Sequence, residues 1–150
     1  MAADTAQGTG LVFPPLNPRQ VKDLGAALGP MVALANPLDY HTYIWRNPAA
    51  MTQAWAAMAD DDIAMTLLIS DYPRPDLCDA SDWECVTQAA IEATRRTRRP
   101  YAVVASLAEL LPDTIAKNLM AHGVGALHGL DHWPDAVDLL SLPRAPPAPP

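Results

Sequence analysis

Long apolar runs are missing from this sequence. The nearest approach, Ile63 to Ile69 with Thr66 inside it, falls far short of the ~20 residues a membrane-spanning helix needs, so neither a transmembrane segment nor a membrane partner is expected. Cysteine is nearly absent as well: Cys78 and Cys85 cannot build a disulfide framework, and their seven-residue spacing matches no zinc or thioredoxin motif. Both read as buried thiols. Residues 1–10 lack the basic flank and apolar stretch of a secretory signal, which together with the unpaired cysteines predicts a cytoplasmic protein. Basic residues are few, ten against seventeen acids, and the net charge of -7 argues against nucleic acid as a partner. Common catalytic signatures are missing too, since no GxGxxG, phosphate-loop lysine, GxSxG or HExxH occurs.

What is present suits one soluble globular domain: 150 residues, half of them hydrophobic and 18% charged. Proline punctuates the chain. Five of the 16 prolines fall in residues 143–150, predicting a disordered, polyproline-like tail, while residues 1–10 are small, polar and aperiodic, as in a flexible N-terminus. The folded unit is therefore expected over residues 11–142.

Asn17-Pro18 and Asn47-Pro48 each place a capping asparagine before a proline at the first helical position, predicting helices that end near Gly29 and Asp60. Ser81-Asp82-Trp83-Glu84 fits a capping box for a third helix, running to about Arg96. A fourth starts near Leu111-Pro112-Asp113 and stops at His122-Gly123, and a last one covers Pro134 to Leu140. Between them, Met31 to Ala35, Ile63 to Ser70, Tyr101 to Ser106 and Val124 to Leu127 read as short strands buried on both faces. The first two intervals, about 32 and 38 residues with a helix in each, have βαβ lengths. These features predict a three-layer α/β domain, a parallel sheet flanked by helices, with functional groups in the loops beyond the strand C-termini.

Four loops then hold the candidates. Asn36, Pro37, Asp39 and His41 lie in an aromatic, polar loop that is either a contact surface or an Asx-type turn held by Pro37. Asp71, Arg74, Asp76 and Asp79 precede Ser81 and Asp82, where the amides of a helix N-terminus offer a seat for phosphate or another anion, although the neighbouring acids already complement that dipole. Glu109 follows the third strand. In the fourth loop, His128 and His132 flank Asp131, but Gly129 breaks the helix that a zinc pair would need and no third ligand is evident, so no metal site is predicted. The Arg95, Arg96, Arg98 and Arg99 cluster reads either as an anion patch or as the solvated last turn of a helix.

Several of these words occur together in one known family. Gly10-Leu11-Val12-Phe13-Pro14, Asn36-Pro37-Leu38-Asp39-Tyr40-His41-Thr42, Asp71-Tyr72-Pro73-Arg74 and the Gly123 to Leu130 segment resemble the last flavodoxin-like domain of NDP-forming acyl-CoA synthetases, relatives of succinyl-CoA synthetase. The resemblance covers residues 10–140. Such ligases join a carboxylic acid to CoA at the expense of ATP, releasing ADP and phosphate through a phosphohistidine relay, and use CoA, ATP/ADP and Mg. It implies that Asp71, Arg74, Ser81 and Asp82 support a phosphohistidine loop, with Asn36, Pro37, Asp39 and His41 shaping the neighbouring loop. The phosphorylated histidine itself belongs to another domain, so no catalytic residue and no cofactor is assigned to this chain. The CoA-binding, phosphohistidine and ATP-grasp domains would be its partners. The family's first strand and helix should precede Gly10 and do not, so the chain is expected to be a fragment or subunit of such an enzyme, inactive alone. The alternatives are a non-catalytic stand-alone interaction module, which would use its strand edges, and a small enzyme working through Asp71, Asp76 and Glu109.

Overall fold

A computed structural model describes residues 2–6 and 9–130; the helix expected over Pro134 to Leu140, the residues Asp131 and His132, and the proline-rich tail lie outside the described residues. It shows an α/β fold with three parallel strands and helices packed on the sheet. In chain order the elements are α1 (Ala2–Thr5), α2 (Pro18–Leu28), α3 (Pro48–Met58), β1 (Thr66–Ile69), α4 (Glu84–Thr97), β2 (Tyr101–Ala105), α5 (Asp113–Ala121) and β3 (Gly125–His128).

Local chemistry sets the helix starts. Asn17 and Gln20 form a full capping box: the Asn17 side chain accepts from the Gln20 amide at 2.9 Å, and the Gln20 side chain accepts from the Asn17 amide at 2.9 Å. Asn47 caps α3 by accepting from the Ala50 amide at 3.1 Å. The strands then pair in the order β1, β2, β3, with Leu68 opposite Val103 and Val103 opposite Ala126. β2 is buried along its whole length, as a central strand covered on both faces must be. At the β2 to β3 contact, a side chain on Gly125 would come within 3.0 Å of the Ala102 Cβ, so the absence of one lets the strands approach.

Alternate residues of β2 feed two clusters. Tyr101, Val103 and Ala105 join the main core with Leu24, Met51, Ala89 and Leu119 from α2, α3, α4 and α5, so those four helices cover one face. On the other face Val104 packs with Ala6 and Leu130, edged by Leu11, Phe13 and Leu67. That second face is therefore covered, among the described residues, by Ala6, Leu11 and Phe13 from the N-terminal segment and by Leu130 beyond β3.

Two expectations fail. No strand forms over Met31 to Ala35. Val32 and Leu34 do turn inward while Met31 and Ala35 stay exposed, giving the burial alternation of a strand, but no strand among the described residues lies beside it to exchange hydrogen bonds. Alternation is a property of one segment; a strand is a property of two. The capping box at Ser81 also fails. Asp79 accepts the Ser81 amide at 2.9 Å, drawing Ser81 into a short 3-10 turn over Ser81–Trp83, and α4 starts at Glu84 with Trp83 in the cap position making no side-chain bond.

Candidate functional site

The carboxyl ends of the parallel strands gather most of the predicted residues along one rim. Asp71, just after β1, ties the loops that follow β1 and β2 together: its carboxylate accepts from the Ser106 amide and from Ser106 Oγ, both at 2.6 Å. The Tyr72 amide donates to Leu110 O at 2.8 Å, and the Leu130 amide donates to Ser106 O at 3.3 Å, so the segments after β1, β2 and β3 meet at Ser106 to Leu110. His128 Nδ1 lies 3.1 Å from Ala108 O on the same rim.

Arg74 stands above this rim, held by Asp76 through a two-pronged contact of 3.1 and 2.6 Å. That pairing pulls the Asp76 carboxyl below its ordinary range and pushes the Arg74 guanidinium up, with Glu109 adding attraction from the loop after β2. Asp79, bound to the amide and hydroxyl of Ser81, is likewise lowered. Tyr72 differs: buried to 2% exposure and bonded through its hydroxyl to Thr87 Oγ1 at 3.0 Å, it is pushed up to about 12 by loss of water.

The loop that follows residue 35 reaches the same end of the sheet from the α3 side. Of the two readings of this loop, a contact surface or an Asx-type turn, Asn36 shows no such turn; its amide donates to Pro14 O at 3.0 Å and fixes the loop to the N-terminal segment. Asp39 does form one, accepting the His41 amide at 2.8 Å. His41 and Thr42 then take left-handed backbone angles, φ 51 and 58, as does Arg46 at 64. For Thr42, with its branched Cβ, that conformation is costly and must be held by its surroundings. Two contacts hold the end of the loop against the start of α4: Arg46 pairs with Asp82 at 3.2 Å, and the Trp45 ring packs edge-on against Trp83 at 5.3 Å. Neither Arg46 nor Trp45 was singled out by sequence pattern. Their only sequence signal was the aromatic density of the loop, because the partners lie near forty residues away.

No family model matches this chain, and no curated protein matches it.

Other predicted features resolve differently. Cys85 is buried, but Cys78 is exposed, contrary to expectation, because it sits at the turn after Arg74 with its thiol toward Arg74 O. In the arginine cluster, Arg95 pairs with Glu92 at 2.9 Å, Arg99 pairs with Asp61, and Arg98 provides the left-handed C-terminal residue of α4. Those partners fit the reading of a solvated last turn. Among the described residues, no three His, Cys, Asp or Glu side chains are grouped so as to hold a metal ion, and no helix is long and apolar enough to cross a membrane.

The rim therefore combines two guanidinium groups, each paired with one carboxylate, with the further carboxylates of Asp71, Asp79 and Glu109, and the Glu84 amide that opens α4 donates to Ser81 O of the preceding 3-10 turn.

Proposed function

We propose that this chain is a flavodoxin-like unit of an NDP-forming acyl-CoA synthetase and that it acts beside the CoA-binding, phosphohistidine and ATP-grasp domains. Its part is to hold the phosphohistidine loop of a partner domain against the carboxyl rim of the sheet. One observation supports this reading above others: the loop of Asn36, Asp39 and His41, the loop of Asp71 and Arg74, and the start of α4 at Ser81 and Asp82 meet at one end of the sheet, joined through Arg46–Asp82 and Trp45–Trp83. Chemically, the Arg74 guanidinium, now shared with Asp76, would supply charge and donors for a phosphoryl group on the incoming histidine. Asp71 acts indirectly, by fixing the loop that carries Arg74. CoA, ATP and Mg would be bound by the partner domains.

Reconstitution tests this. The chain is combined with separately produced polypeptides carrying the three other domains, and acid-, CoA- and ATP-dependent release of ADP is followed. Turnover should require the chain, and Arg74→Ala should slow it about tenfold, the loss of ~1.4 kcal/mol of transition-state stabilisation. Partner domains that turn over at full rate without the chain would overturn the reading.

A further inference from the structure

Among the described residues the sheet has two open edges, the free sides of β1 and β3, and the β1 edge borders a large cavity. Thr66 donates to Pro100 O and Ser70 to Val104 O, both toward β2. In a parallel ladder alternate residues face opposite sides, so the backbone groups of Leu67 and Ile69 point away from β2, and no described residue pairs with them. Beside this edge runs a cavity of about 650 Å³, walled by Leu11 and Val12, by Leu38, and by Trp55, Met58 and Val86. Its far wall is fixed, since Asn36 of that wall is bonded to Pro14 at 3.0 Å.

The shape and chemistry select one occupant. Row-spaced amides and carbonyls call for another main chain. Leu67 packs with Leu11 and Phe13 on one face of the sheet, and Leu68 joins the main core on the other, so a strand laid beside them meets apolar side chains on both faces. Strands buried on both faces belong to parallel sheets. Charge sets the direction. Asp60 and Asp61 are taken by Arg19 and Arg99, whereas the exposed carboxylate of Asp62, at the amino end of the groove, has no ionic partner among the described residues. At the other end Asp71 is held by Ser106.

We propose that the β1 edge receives an extended apolar strand from a partner polypeptide, parallel to β1, with a basic residue ahead of its amino end. About five residues, ~17 Å, would span Thr66 to Ser70. The proposal is independent of the ligase reading, because it concerns strand capture and needs no turnover.

The isotope-labelled full chain is titrated with two blocked peptides of about eight residues. Each has a core of valine and isoleucine broken by one threonine, with two lysines at the amino end in one and at the carboxyl end in the other. Hydrogen exchange of the Leu67 and Ile69 amides should slow about tenfold on binding, and the amino-lysine peptide should bind about threefold tighter. Asp62→Lys should reverse that preference. Ile69→Pro, which removes a donor on the groove side only, should abolish peptide binding while the Leu68 amide, on the β2 side, stays protected. The proposal fails if neither amide slows, or if the two peptides bind equally. It also fails if the amides are already protected in the peptide-free chain in a concentration-dependent way, which would assign the edge to a second copy. Filling of the cavity by an apolar dye that competes with the peptides and leaves exchange unchanged would assign it to a small molecule, and would overturn the proposal too.

Discussion

Tyr72 carries more of the fold than its place in a proline-flanked loop suggests. Leu68, Ser70 and Tyr72 keep the two-residue alternation of β1 past its end, which aims Tyr72 into the core beside Thr87. Burial favours its neutral form, so its contribution to stability is fully present below pH ~10, the ordinary tyrosine range, and is lost as pH rises toward about 12. Tyr72→Phe should cost about 1 kcal/mol at neutral pH, the worth of one buried hydrogen bond, and should flatten the loss of stability above pH ~10. Denaturant melts at neutral and alkaline pH read both effects; an unchanged alkaline slope would refute the assignment. Tyr40 and Tyr101, also raised by burial, keep some slope in the variant. Neither the burial of Tyr72, which sequence pattern placed in a loop, nor the exposure of Cys78 was legible in the sequence, because both depend on how the chain after β1 turns back on the core.

At the scale of elements, what is local was legible and what is paired was not. Asn17 and Asn47 cap α2 and α3 because cap, proline and first turn lie within four residues. The same locality failed at Ser81, where Asp79 competes for the amide. It failed again at Met31 to Ala35, whose missing partner no pattern within the segment can reveal. The start of α2 is also bound to the end of α3: Asp60 accepts from Asn17 Nδ2 at 2.9 Å and from Arg19 at 2.8 Å. Those two partners hold the Asp60 carboxyl below its ordinary range of about 3.8. Its contribution is therefore present above that range and is lost as pH falls through the lowered value. Asn17→Ala, which removes the cap and the Asp60 contact together, should cost about 1 to 2 kcal/mol. Asp60→Asn should make melting temperature fall less steeply between pH ~5 and pH ~3. Thermal melts across that range check both variants; no change in the acid slope of Asp60→Asn would contradict the linkage.

For the whole molecule, an open apolar strand edge is a hazard that charge holds in check. The net charge of -7 repels copies of the chain from one another at neutral pH, and that repulsion vanishes near the isoelectric point of about 4.8. Light scattering at low salt should rise as pH approaches that value, and Ile69→Lys, a charge on the edge itself, should suppress the rise. Equal scattering from both proteins would place the sticky surface elsewhere. The convergence of Arg46 and Trp45 on α4 belongs to this scale too, and so could not be read from the sequence: it exists only once α3 and α4 have packed. The sheet order has a kinetic consequence as well. Leu68 meets Val103 thirty-five residues away, and Val103 meets Ala126 twenty-three residues away, with no hairpin anywhere in the sheet. Every strand contact must therefore close a long loop before it gains anything, so the chain cannot zip its sheet from a turn. Helices capped by their own asparagines are the local structures this chain can form first, so the sheet is expected to assemble after them, on helices that have already found one another.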